Sequence, residues 1–207
     1  MFGSGHGVWK SYCVVPCLLL LGAFSGCSFA CAAPTAEQSA IIAEQTKVIE
    51  ANPKDYKAYF RRGRAYFDAA QYSEADADCK SGLRINPESQ HLWVLQANIS
   101  RKLGDHSGAL TSVKRAQDSG PKSLILFELE VICLRQLRMD KECYARCTEL
   151  LRTYSECAEL YFSRGLAGKS LGRSRDGVSK DLELAVKLAP KNKDYRNLLN
   201  SFQSSGK

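Results

Sequence analysis

Apolar and small residues recur along this chain at helical spacing and, on a longer scale, at a fixed interval. Tyr59, Gly63 and Tyr66 follow one another at steps of four and three, which places them on one face of a helix. After a break around Ala70-Gln71-Tyr72 the same spacing resumes with Ala75, Cys79, Gly82 and Leu83, until Asn86-Pro87 stops the second helix. Pro53, Pro87 and Pro121 are separated by 34 residues each time. A period of this length marks stacked structural units, each too small to bury its apolar face alone.

The units agree in type and spacing. The first, 56–89, runs helix, short turn, helix, proline, with Gly63 and Ala75 as the small residues where the paired helices approach closest. The second, 90–123, keeps an aromatic at Trp93 and small residues at Ala97, Ala109 and Ala116, with Gly104 and Asp105 supplying a left-handed helix end and the next cap. The third, 124–157, is degenerate. Phe127 holds the aromatic place, Val131, Cys143 and Cys147 replace the small and second aromatic residues, and Ser155 stands for the proline. An apolar stripe of Leu126, Leu129, Ile132, Cys133 and Leu137 still predicts a helix there. The fourth, 158–191, recovers the pattern with Tyr161, Gly165, Leu182, Ala185 and Pro190, and its one extra residue belongs in the turn between Gly172 and Gly177.

Five separated places matching in kind make the first unit resemble a tetratricopeptide repeat. The resemblance extends through the other three and implies an all-α fold, a right-handed α-solenoid of stacked antiparallel helix pairs. Ile41, Ile42, Gln45, Val48 and Ile49 form a half-repeat helix within 34–55, and Tyr195, Leu198, Leu199 and Phe202 form a capping helix within 192–207. Roughly ten helices and no strand are expected after Thr35.

Such an array curves, and the first helix of each unit lines a groove suited to an extended or helical peptide. Projection of the helices places Phe60, Arg64, Phe67, Val94, Asn98, Arg101, Glu128, Arg135, Phe162 and Lys169 on that face. An asparagine there holds a bound backbone, arginines take carboxylates bidentately, and phenylalanines accept apolar anchors. Taken singly, each of these residues is as well explained by a solvated face. The family's carboxylate-clamp branch, which grips the C-terminal tails of cytosolic chaperones, carries fixed Lys, Asn and Arg residues at places held here by Phe60, Arg64, Leu95, Ile125 and Leu129. That clamp cannot form in this chain.

The N-terminal stretch has a different character. Val14 to Pro34 contains no charged residue and is preceded by Lys10, the three-part shape of a secretory signal over residues 1–33. Three outcomes are open: Phe24-Ser25-Gly26-Cys27 resembles a lipobox with Cys27 as the lipidated residue, Ala30-Cys31-Ala32 suits ordinary cleavage, and an uncleaved stretch would anchor the chain. Each places the remainder outside the cytosol, as an outer-membrane or periplasmic lipoprotein or in the secretory lumen.

Charge and composition narrow the function. Twenty-nine Lys+Arg against 22 Asp+Glu give +7. The excess is concentrated in the second and fourth units, which leaves nucleic-acid binding the weakest reading and favours an anionic membrane surface near a tethered domain. Three histidines provide no metal-binding pair, and no nucleophile elbow or phosphate-cradling loop occurs. No cofactor is called for. Cys133, Cys143, Cys147 and Cys157 crowd the third unit, where three readings stand: compact apolar core, at least one bridge between helices, and, weakest, a zinc site. Asp68, Glu74, Asp76 and Asp78 are an acidic patch that neighbouring arginines neutralise.

The residues together predict a non-enzymatic adaptor or scaffold of an envelope or secretory-compartment assembly that binds a protein or peptide in its groove. The alternative is a scaffold that self-associates through its terminal helix.

Overall fold

The computed structural model describes residues 33–205. Residues 1–32 of the expected signal segment, with the lipidation candidate Cys27, therefore lie outside the described residues. Among the described residues there are ten helices and no strand: α1 Ala36–Ala51, α2 Tyr56–Asp68, α3 Tyr72–Ile85, α4 Gln90–Lys102, α5 His106–Asp118, α6 Leu124–Gln136, α7 Asp140–Leu150, α8 Ala158–Ser170, α9 Arg175–Leu188 and α10 Lys193–Ser204. Each helix packs on its neighbours in the chain, and alternate helices meet as α2 with α4 and α6 with α8. This is a solenoid, in which each helix pair packs mainly on the pairs next to it in the chain.

Local chemistry sets the starts and stops. Thr35 and Gln38 form a reciprocal capping box at α1, Asp55 accepts from Lys57 and Ala58 at α2, and Asp105 accepts from Gly108 at α5. The turns inside the four helix pairs carry a left-handed residue at Ala70, Gly104, Arg138 and Gly172, with φ of 58°, 83°, 57° and 65°. These four positions keep the 34-residue interval, so the turn geometry is repeated although only two are glycine. The extra residue of the fourth unit lies in its turn, which spans 171–174 where the other three turns span three residues each.

The core is assembled from the paired faces. Ala58, Ala75, Ala97, Ala109, Val131 and Ala185 are fully buried at helix crossings. At Gly165 an added Cβ would sit 3.1 Å from Leu182 Cδ2, so the backbones of α8 and α9 approach as closely as the absence of a side chain allows. The third unit closes by a longer route: α7 is short, and Leu150, Leu151 and Cys157 bury the following turn against Phe127 and Leu160. At the C-terminal end Tyr195 and Phe202 of α10 are buried against Phe162, Val178 and Leu182, with Leu198 and Leu199 beside them. The apolar residues of the terminal helix are thus engaged within the chain.

Ion pairs stitch three of the four crossings. Arg62 meets Asp78, with Nε 2.8 Å from Oδ2 and Nη2 2.7 Å from Oδ1, and Arg62 Nη1 also donates to Thr46 Oγ1 of α1 at 3.0 Å. Arg164 and Asp181 repeat the arrangement at 2.9 and 2.6 Å. In the third unit the charges are exchanged, with Glu130 on the first helix and Arg146 on the second, 3.2 Å apart. Asp78 therefore belongs to a buried pair, while Asp68 pairs with exposed Arg64 and Asp76 with Lys80. The hydrogen bonds that Arg62 donates to Asp78 outweigh desolvation and raise the guanidinium above its ordinary pKa.

Candidate functional site

The first helices of the first three units line a cavity of about 530 Å³. It contains Phe60, Arg64 and Phe67 of α2 and Val94, Asn98 and Arg101 of α4, six of the ten residues expected in the groove. His91, Lys102, Ile125 and Leu126 complete the wall with others, and no acidic residue lines it. Ile125 is 69% exposed, a large apolar side chain presented at the rim. Phe60 packs at 5.9 Å on His91, and Phe67 at 5.5 Å on Tyr72, so both half-buried rings are held by neighbours.

The polar groups divide by their existing partners. Asn98 Nδ2 donates to Val94 O at 3.0 Å, which fixes the amide along its own helix. Arg64 Nε lies 3.0 Å from Asp68 Oδ2, an exposed pair of small energetic weight. Arg101 differs from both: its Nε is buried and has no hydrogen-bond partner. An orphan guanidinium donor beside apolar walls is a position for an acceptor such as a carboxylate.

The four remaining expected residues do not continue this cavity. Phe162 is only 8% exposed, because Tyr195 of α10 stacks on its ring at 4.4 Å and the Arg135 guanidinium covers it at 5.3 Å. It is a core residue, not a groove residue; the capping helix lies over the place projected to be open. Arg135 bonds to Glu159 at 3.2 Å, and Glu159 also accepts from Ser163 and from the Tyr195 hydroxyl at 2.7 and 2.9 Å. Burial and the Glu159 carboxylate push the Tyr195 phenol up from its ordinary pKa. Glu128 accepts from the Cys157 thiol at 3.0 Å, which ties it to the turn before α8. Lys169 and Arg135 line a separate cavity of about 500 Å³ with Arg138 and Asp140.

Cys79, Cys133, Cys143, Cys147 and Cys157 are all buried free thiols. Of the three readings for the last four, the arrangement is that of compact apolar core, with these side chains filling the small and aromatic places of the helix crossings. Burial pushes the Cys133 and Cys157 thiols up to about 11, and the hydrogen bond with Cys143 together with burial pushes Cys147 up as well. Among the described residues no cluster of His, Cys, Asp and Glu is arranged to hold a metal. None of the described helices is long and apolar enough to cross a membrane.

Comparison with known proteins places this geometry. The tetratricopeptide repeat family model matches residues 45–77. The structure superimposes on YrrB, described as a TPR protein with an unusual peptide-binding site, with a TM-score of 0.70 at 19% identity, covering 78% of this chain and 83% of that one. The fold is a tetratricopeptide-repeat solenoid. MamA shares it with a TM-score of 0.66 at 16% identity, over 77% of this chain and 86% of that one. The DnaJ protein P58IPK homolog B of Oryza sativa subsp. japonica is 25% identical in a match that covers 79% of this chain but only 38% of the relative.

A second cavity on the repeat array was not foreseen from the sequence. About 1160 Å³ in volume, it lies between α3, α4 and α5, on the face of α4 away from the groove, and includes Trp93, Gln96 and Ser112. The signal was present in the 34-residue register: Gln96 falls where the first and fourth repeats place Arg62 and Arg164, and Ser112 falls where the first places Asp78.

Proposed function

We propose that this chain is a non-enzymatic protein-interaction module that holds a peptide of a partner protein in the cavity lined by α2, α4 and the start of α6. The observation that carries the reading is the coincidence, in the lining of one concavity, of half-buried Phe60 and Phe67, an exposed Ile125 and Arg101, whose Nε has no partner. Apolar walls supply most of the affinity of a peptide groove, and a few placed polar groups set its direction. With Arg64, Arg101, Lys102 and His91 on the wall and no acid among its lining residues, the fitting peptide combines apolar anchors with a carboxylate. YrrB's described peptide-binding site offers a parallel on the same fold.

The proposal extends to location: the uncharged stretch from Val14 to Pro34 makes this module an exported one, tethered at Cys27 or released after Ala32, acting in an envelope or secretory-compartment assembly. The mass of the mature N-terminus isolated from membranes tests this part directly.

For the groove, a displayed random-peptide library selected on the immobilised full chain tests the reading. Selected peptides are expected to share apolar residues and an acidic group, and Phe60→Ala with Arg64→Ala is expected to weaken them at least about tenfold, the equivalent of about 1.4 kcal/mol. Unchanged binding by that double variant would remove the groove from consideration.

A further inference from the structure

One crossing of the solenoid lacks what the other three possess. Arg62, Gln96, Glu130 and Arg164 follow one another at 34-residue steps on the first helices. Opposite them on the second helices stand Asp78, Ser112, Arg146 and Asp181, the last step being one residue longer. Three crossings thus hold an arginine against a carboxylate, and the second holds glutamine against serine. The arginine does a second thing in each of those three: its guanidinium lies over the aromatic ring of the unit, Arg62 over Tyr59 at 5.9 Å, Arg146 over Phe127 at 5.0 Å and Arg164 over Tyr161 at 5.6 Å. Trp93 occupies the corresponding place in the second unit, and among the described residues no cation lies over it.

The space follows the substitution. In the fourth unit the slot lined by Tyr161, Arg164 and Asp181 measures about 640 Å³, whereas its counterpart around Trp93, Gln96 and Ser112 measures about 1160 Å³. Gln96 is 8% exposed, its Nε2 donates to Asp76 Oδ1 at 2.7 Å, and its Oε1 is buried with no partner. Ser112 turns away and donates to Gly108 O of its own helix at 2.9 Å. The Trp93 ring is held by its Nε1 donating to Pro87 O at 2.6 Å. The charged groups lining the cavity are Asp76 and Asp105 on one side of the balance and Lys80 and Arg84 on the other. Lys80 lies 2.6 Å from Asp76 Oδ2 with a side chain 68% exposed, so it can swing away, while Arg84 rests on Ser81 Oγ at 3.2 Å.

We propose that this cavity is a docking site for the guanidinium of an arginine presented by a partner peptide, seated over Trp93 and donating to Gln96 Oε1 and the Asp76 carboxylate. The incoming group restores from outside the cation that the other crossings carry within the chain. A planar guanidinium has donors spread in a fork that reaches two acceptors while its face stacks on indole; an ammonium does one or the other. The site is separate from the peptide groove, since Trp93, Gln96 and Ser100 project from the face of α4 opposite Val94, Asn98 and Arg101.

The test uses the full chain carrying Trp9→Phe, which leaves Trp93 as the sole tryptophan. Blocked pentapeptides Ala-Ala-Arg-Ala-Ala and Ala-Ala-Lys-Ala-Ala are titrated while indole emission is read. The arginine peptide is expected to saturate with a Kd near or below about 1 mM, and the lysine peptide to bind at least about tenfold more weakly. Gln96→Arg with Ser112→Asp fills the slot from within and is expected to abolish saturation while keeping a cooperative thermal transition. Phe60→Ala is expected to leave the titration unchanged. Absence of saturation up to about 10 mM, equal binding of the lysine peptide, or undiminished binding by the filled variant would overturn the proposal. Loss of the response in Phe60→Ala would reassign it to the groove and overturn it equally.

Discussion

Arg62 of α2 and Asp78 of α3 form a two-point ion pair with side chains only 18% and 7% exposed, and the same guanidinium reaches back to Thr46 of α1. One residue therefore joins three successive helices. Asp78→Asn leaves the guanidinium half-buried without a carboxylate and is expected to cost about 2 kcal/mol in urea unfolding, the range for a hydrogen bond to a charged group. Replacing both partners, Arg62→Met with Asp78→Leu, is expected to cost less than the single change, because no charge is then stranded. A double variant less stable than Asp78→Asn would contradict this account of the crossing.

The left-handed turn residue offers a gain of stability. Ala70 adopts φ of 58°, a conformation that Gly104 and Gly172 adopt without a Cβ. Ala70→Gly is expected to raise the unfolding free energy by about 1 kcal/mol, the steric cost of that region for an L-residue, and Gly104→Ala to lower it by a similar amount. Thermal melts of the two variants, moving in opposite directions, check the claim.

Asp105 caps α5, and its hydrogen bonds from Gly108 N–H and Ser107 lower its carboxyl pKa from the ordinary 3.8. A lowered folded-state value means that the stabilisation is complete above the ordinary value and fades as pH falls through the folded one. The stability difference between the native chain and Asp105→Asn is therefore expected to be constant at neutral pH and to shrink only below about pH 4. A difference that disappears between pH 5 and 7 would point to another group.

The buried thiols carry a chemical prediction. With Cys133 and Cys157 raised to about 11, and Cys79 raised by burial in α3, very little thiolate exists at pH 8. Iodoacetamide is expected to leave these three unlabelled in the folded chain and to label all five described cysteines after unfolding without reductant. Recovery of a disulfide-linked peptide joining Cys147 to Cys157, or Cys133 to Cys143, would contradict the free-thiol arrangement.

How far the chain could be read before its structure depended on whether the information was local. Helix pairs, the 34-residue step and the extra residue before α9 were legible because Pro53, Pro87, Pro121, Gly104 and Gly172 act on their own neighbourhoods. The shared cavity wall was legible in α2 and α4, where projection of a helix face suffices. It failed at Phe162, since covering that ring depends on α10 folding back with Tyr195, a contact 33 residues away in sequence. The charge exchange at Glu130 and Arg146 and the neutral pair at Gln96 and Ser112 are not marked by the repeat pattern, because the small and aromatic places define it and the polar residue immediately before each of them varies from unit to unit.

Site-specific photocrosslinking to a selected peptide tests the central claim most directly, with benzoylphenylalanine placed in turn at Val94, inside the groove, and at Glu142, on the exposed first turn of α7. The account predicts a covalent adduct from position 94 that unlabelled peptide competes away, and none from position 142. Adducts from position 142 alone, or from both in equal yield, would show that peptide does not lie along α2 and α4.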